Sequence, residues 1–162
     1  MLISKELNKS INIQVGHELE ASHQYMNIAA YFDERHLQQF AGLFRKQALE
    51  EREHAEKFIK FILDAGGTVK IPEIPAPKAE FESAEEAVNL SLNWEKDVTK
   101  KIYALVEQAE SEKNFSAREF LGWFVTEQLE EVSSMEQLLG VVKMSGEKNL
   151  LMLEAYVAHL DD

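Results

Sequence analysis

Four apolar helical stripes in this chain are each interrupted near their middle by side chains able to ligate metal: Glu18, Glu51, His54, Glu95, Gln128 and Glu131. Glu51 and His54 are three residues apart, a spacing that stacks them on one helix face. Carboxylates and imidazoles are metal ligands. Hard oxygen donors with a single imidazole and no thiolate suit iron or manganese better than copper. Glu51 can bridge two metals while His54 ligates one, and Glu18 and Glu95 can supply terminal carboxylates. Carboxylates are rarely buried unless paired or metal-bound, and two divalent ions would neutralise a set that otherwise repels itself. The alternative is a buried hydrogen-bond network of Glu, Gln, His and Tyr without metal. Tyr25 lies two turns from Glu18 on the same face. It is either a core tyrosine with a hydroxyl partner or a redox-active neighbour of the metals.

The elements that must position these groups are helices. The stripes are Ile11, Val15, Glu18, Ser22, Tyr25, Ala29, Phe32; then Phe40, Phe44, Gln47, Glu51, His54, Phe58, Phe61, Ala65; then Ala84, Val88, Ser91, Glu95, Val98, Ile102, Leu105, Ala109; then Leu121, Phe124, Gln128, Glu131, Met135, Leu138, Val142. Every step is three or four residues, which keeps the side chains on one helical face. The pattern predicts helices over about 4–33, 37–65, 83–111 and 116–144, and a short fifth over about 147–160. Ser83 with Glu86, and Ser116 with Glu119, read as capping boxes. Gly66-Gly67 ends the second helix, and Ser145-Gly146 separates the fourth from the fifth. The fifth carries Leu150, Leu153, Val157 and Leu160 on one stripe and is too short to be stable alone. It needs a subunit or inter-subunit surface to cover it.

Connection lengths set the topology. The first and second helices, and the third and fourth, are joined by a few residues and must be antiparallel neighbours. The second and third are joined by about seventeen residues, able to cover more than ~40 Å. A helix of about 28 residues is ~42 Å long. The connection can therefore run the length of the bundle and start the third helix beside the start of the second. In an antiparallel pair, two residues lie level when their midpoint falls in the turn. Glu18 with Glu51, and Glu95 with Glu131, both meet this condition. An apolar stripe does not require that coincidence, whereas a four-helix metal site does.

At 162 residues the chain is expected to form one all-α domain over 1–162, with the bundle over about 4–144. The formal net charge of −12 makes nucleic acid and anionic membrane poor partners and cations good ones. No apolar run approaches the ~18 residues of a spanning helix. There are no cysteines, which removes disulfides, zinc ribbons and thiolate iron–sulfur sites. No secretory signal is visible, so a cytoplasmic location is expected.

Four motifs together resemble the bacterial non-haem ferritins over essentially the full chain: Gly16-His17-Glu18 through Tyr25, Glu50-Glu51-Arg52-Glu53-His54, Asn93-Trp94-Glu95-Lys96, and Glu127-Gln128-Leu129-Glu130-Glu131. The ferritin-like di-iron bundle is a known architecture, with Glu on two helices and Glu-x-x-His on two others. Here the fourth helix carries Gln128-x-x-Glu131 instead of the second Glu-x-x-His, and the second helix has no methionine. Both departures resemble ferritins rather than bacterioferritins, and imply a weaker second iron position and no haem. The resemblance implies a four-helix bundle with one long crossover and a fifth helix. It further implies two irons per subunit at Glu18, Glu51, His54, Glu95, Gln128 and Glu131, with Tyr25 beside them. Glu50, Glu127 and Glu130 resemble the family's third iron site. The implied activity is oxidation of ferrous iron by dioxygen or hydrogen peroxide, with ferric mineral stored inside a homo-oligomeric cage of twenty-four subunits. A di-iron oxidase or peroxidase that stores no mineral is a second possibility, and a structural bundle a third.

Overall fold

The structure is a computed structural model and describes residues 1–160. The last two residues of the expected domain, 161–162, lie outside them. Four long helices, α1 (Lys5–Glu34), α2 (Gln38–Asp64), α3 (Ala84–Ser111) and α4 (Phe115–Ser145), are followed by a 3-10 turn (Glu147–Asn149) and a short α5 (Leu150–Ala158). The ferritin-like four-helix architecture with a fifth C-terminal helix is the one expected, and among the described residues there is no strand.

The helix ends follow local chemistry. The Ser4 side chain accepts from the Leu7 amide, and Ser83 accepts from the Glu86 amide, each relieving one of the unpaired donors of a first turn. The Ser83–Glu86 box is only half formed, because the Glu86 carboxylate accepts from the Glu82 amide instead. The Ser116–Glu119 box is corrected by the structure. Asn114 caps α4, accepting from the Ala117 amide, and the helix begins at Phe115. Asn114 Oδ1 reaches the same kind of donor two residues earlier than Ser116 could. Gly66 follows α2 with φ 72°, and Gly146 ends α4 with φ 73°, a left-handed conformation that costs glycine nothing.

The crossover from residue 65 to 83 is strapped to α1 along its length. The Asn8 side chain accepts from the Thr68 amide. Asn12 donates to the Thr68 carbonyl and accepts from the Lys70 amide. Gln24 accepts from the Lys78 amide and donates to its carbonyl, each at 2.9 Å. Tyr31 then meets Phe81 edge-on at 5.3 Å. Between these contacts Pro72 lies so close to Gly16 that any Cβ there would collide with its ring. The chain thus climbs α1 from base to top, and α3 starts at the end of the bundle where α2 starts.

The interior is divided into three zones. One apolar zone, built around Tyr25, Phe32, Phe40, Phe44, Val88 and Val142, fills the end where α2 and α3 begin. Another, built around Leu7, Ile11, Phe58, Ile102, Leu121 and Phe124, fills the other end. Between them lies a belt of buried polar groups that includes Glu18, Glu51, His54, Glu95, Gln128 and Glu131. Phe61, expected in the stripe, is only half-buried. Its neighbour Ile62 is fully buried.

Candidate metal centre

Each long helix brings ligand atoms to the belt near its middle. Glu18 comes from α1, Glu51 and His54 from α2, Glu95 from α3, and Gln128 and Glu131 from α4. All six are buried, as their places in apolar stripes require. The pairs expected to be level are brought together. Glu18, Glu51 and His54 form one group whose ligand atoms lie within 4.8 Å of one another, and Glu51, Glu95 and Glu131 form a second. Glu51 belongs to both. His54 and Glu131 also meet Glu127 in a third group. His54 Nδ1 lies 3.4 Å from Glu51 Oε2, while Nε2 lies 3.8 Å from Glu127 Oε1.

Hydrogen bonds account for some of the carboxylate oxygens and leave others bare. Gln14 Nε2 donates to Glu18 Oε1 at 2.7 Å. The Tyr25 hydroxyl donates to Glu95 Oε1, so this buried tyrosine has its partner in the ligand set. Gln128 Nε2 donates to Glu95 Oε2 at 3.1 Å and to the Glu95 carbonyl and Thr99 Oγ1, each at 3.2 Å. Gln47 Nε2 donates to Glu131 Oε2. Glu18 Oε2, Glu51 Oε1 and His54 Nδ1 are buried with no hydrogen-bond partner. An unpaired buried polar atom costs about 1–3 kcal/mol. Three of them on the members of one ligand group is the arrangement a cation would relieve, and the oxygen-rich donor set suits iron.

The electrostatics tell the same story. Burial drives the Glu18 carboxyl up to about 7 and Glu131 up to about 8, the latter helped by Glu95. Burial, then the charges of Glu95, Glu18 and Glu131, holds Glu51 well above the ordinary carboxylate range. Glu95 is raised by burial against the pull of Tyr25 and Gln128. These groups resist ionising together unless positive charge is supplied. His54 is packed edge-on against Trp123 (5.5 Å) and Phe124 (5.7 Å). Burial, then the nearby Lys57 charge, lowers it to about 4, which keeps the ring neutral at neutral pH, with one nitrogen's lone pair available. Tyr25 is held well above 10 by burial and by Glu95, so it stays protonated.

Glu50, Glu127 and Glu130 line a cavity of about 320 Å³ beside the belt, together with Gln47, Glu131 and Lys46. Glu127 is half-buried and raised by burial and by the Glu130 charge. It belongs to the His54–Glu131 group as well as to this cavity. Gln14 and Gln47 were not among the candidate ligands. Gln14 sits four residues before Glu18, and Gln47 four before Glu51, so the only signal either carries is a polar side chain on a buried face.

A family model described as a ferritin-like domain matches residues 8–145. A bacterial non-heme ferritin from Staphylococcus haemolyticus is 39% identical over 146 residues, covering 90% of this chain and 88% of its own. One from Staphylococcus aureus strain USA300 is 37% identical over 153 residues, covering 94% and 92%. Among solved structures, an open-pore ferritin from the hyperthermophilic archaeon Archaeoglobus fulgidus matches with a TM-score of 0.94 at 34% identity, covering 98% of both chains. Within the described residues no helix is long and apolar enough to cross a membrane.

Proposed function

The chain belongs to the ferritin family, and on that premise we propose that it oxidises ferrous iron at the buried belt and stores the ferric product inside a closed homo-oligomeric cage of twenty-four subunits. Iron storage is what the family membership supports. The residue roles rest on the two ligand groups that share Glu51, and the three unpartnered ligand atoms carry the reading most directly. Ferrous iron is the substrate, two ions per subunit, and dioxygen or hydrogen peroxide is the acceptor of its electrons. The physiological location that suits this role is the cytoplasm.

The protein's contribution is geometry and charge. Glu18 and His54 hold the first iron, and Glu95 and Glu131 the second. Glu51 bridges them, because it alone lies within ligand distance of both sets. Gln128 and Tyr25 donate to opposite oxygens of Glu95 and keep its carboxylate turned to the site. Glu50, Glu127 and Glu130 hold a further iron in the adjoining cavity. Glu127, shared between cavity and centre, is suited to pass oxidised iron outward. Since the buried carboxyls favour their protonated forms, binding two cations releases protons from them.

Stopped-flow mixing of metal-free protein with ferrous iron and oxygen tests the assignment. Two irons per chain should oxidise in a fast phase that a Glu51→Ala, His54→Ala double variant lacks. An equal fast phase in both proteins would overturn it.

A further inference from the structure

Three of the four buried carboxylates are each held by a glutamine amide. Gln14 holds Glu18, Gln47 holds Glu131 and Gln128 holds Glu95. The fourth, Glu51, has no such donor, and its Oε1 has no hydrogen-bond partner. All three glutamines are themselves buried. Each spends a donor on one carboxylate oxygen. In Glu18, where Oε1 takes the Gln14 bond, the other oxygen is the unpartnered one.

We propose that Gln14 and Gln47 are positioning residues for the metal centre: each fixes the rotamer of one terminal carboxylate through the oxygen it occupies, so that Glu51 alone is left free to reorient as iron binds, bridges and leaves. The proposal rests on the ligand roles given above. Its physical basis is that a free carboxylate has two equivalent oxygens and several rotamers of similar energy. A single amide donor removes that choice before the cation arrives, so less ordering remains to be done on binding. Gln14 comes from the ligand's own helix, one turn before it. Gln47 reaches across from α2 to α4. The two anchors serve different ligand groups, Gln14 that of Glu18 with Glu51 and His54, and Gln47 that of Glu131 with Glu51 and Glu95.

A buried glutamine that merely needs a hydrogen-bond partner is the competing explanation, and Gln24 supplies the control. It is buried like Gln14, on the same helix, but its amide bonds only to the Lys78 backbone in the crossover. Gln14→Met, Gln47→Met and Gln24→Met keep side-chain length and lose the donor. Cobalt(II) is titrated anaerobically into each metal-free full-length protein, and the visible absorption bands of the bound ion are recorded with the thermal midpoint. All three variants should lower the midpoint. Gln14→Met and Gln47→Met should each weaken one cobalt site, a different one in each case, by about 10- to 100-fold, the range found when a group orienting a ligand is lost. Both should also alter that site's bands. Gln24→Met should bind cobalt as wild type does. Unchanged affinity and bands in Gln14→Met and Gln47→Met, or equal weakening in all three, would overturn the proposal. Failure of the wild type to bind cobalt in the belt would instead overturn the ligand assignment itself.

Discussion

Glu51 is where the two ligand groups converge, and its chemistry shows how the centre trades stability for binding. In the metal-free protein, burial raises Glu18, Glu51, Glu95 and Glu131. A carboxyl whose folded-state pKa lies above its unfolded value contributes stability that is complete below the unfolded value. That contribution is lost as pH rises through the folded value. For Glu18 the window runs from about 4.5 to about 7, and for Glu131 from about 4.5 to about 8. Metal-free protein should therefore melt at progressively lower temperature as pH rises from about 5 to about 8, read by thermal scans in a buffer series. Divalent metal should raise the midpoint, and by more at high pH, because fewer protons must then be displaced. A metal-induced rise that shrinks with pH would contradict the burial argument. Glu51→Gln should raise the metal-free midpoint at pH 8, because it removes a carboxyl that burial and three like charges oppose, a gain on the order of 1–3 kcal/mol. It should also abolish bridging. On the cavity side, Glu130→Ala should leave the first turnover of iron oxidation intact and slow later ones, checked by repeated ferrous additions in the stopped-flow. Unaltered later turnovers would remove Glu130 from the path.

At the scale of elements, the C-terminal segment acts on the helices it covers. Leu37 offers α2 no side-chain cap. Instead Glu154 of α5 accepts from the Gln39 amide at 2.6 Å, and Glu147 of the 3-10 turn accepts from the Glu85 amide at 3.1 Å. Two carboxylates thus meet the positive ends of two parallel helices. Leu150 and Val157 are buried against the bundle and Leu153 partly so, which gives most of the expected apolar stripe an intramolecular seat, whereas Leu160, its last member, lies beyond α5 and is exposed. Glu154→Gln should cost about 1 kcal/mol and speed hydrogen exchange at the Gln39 amide and through α5. Exchange unchanged from wild type would show that the contact does no capping. The helices themselves were legible in the sequence, because apolar period and turn lengths fix them locally. So were the pairings of Glu18 with Glu51 and of Glu95 with Glu131, since antiparallel register follows from the short turns. The crossover's path was legible only as a length. Its register depends on Asn8, Asn12 and Gln24 meeting Thr68, Lys70 and Lys78 across more than fifty residues, which no local pattern encodes. The α4 cap was misplaced for a related reason: Asn114 and Ser116 are both good caps, and the turn geometry after Lys113, at φ 52°, decides between them. Gln14 and Gln47 are not legible as anchors in the sequence, because a glutamine's role is set by the atom it reaches.

For the whole molecule, the exposed apolar side chains matter more than the net charge. Leu151 and Met152 on α5, with Met144 at the end of α4, lie open to solvent. On the cage reading, these exposed apolar groups face another subunit. The cage reading predicts that the protein sediments as one large species at micromolar concentration, and that Leu151→Lys with Met152→Lys shifts it to smaller assemblies while each chain stays folded by circular dichroism. The most direct test of oxidation and storage together is sedimentation velocity after aerobic addition of excess ferrous iron, with protein and ferric absorbance recorded in the same run. The account predicts a single boundary near twenty-four chains of 18.5 kDa, heavier than the metal-free particle and carrying essentially all of the ferric absorbance. Ferric absorbance sedimenting apart from the protein, or protein remaining at the mass of one or two chains, would contradict it.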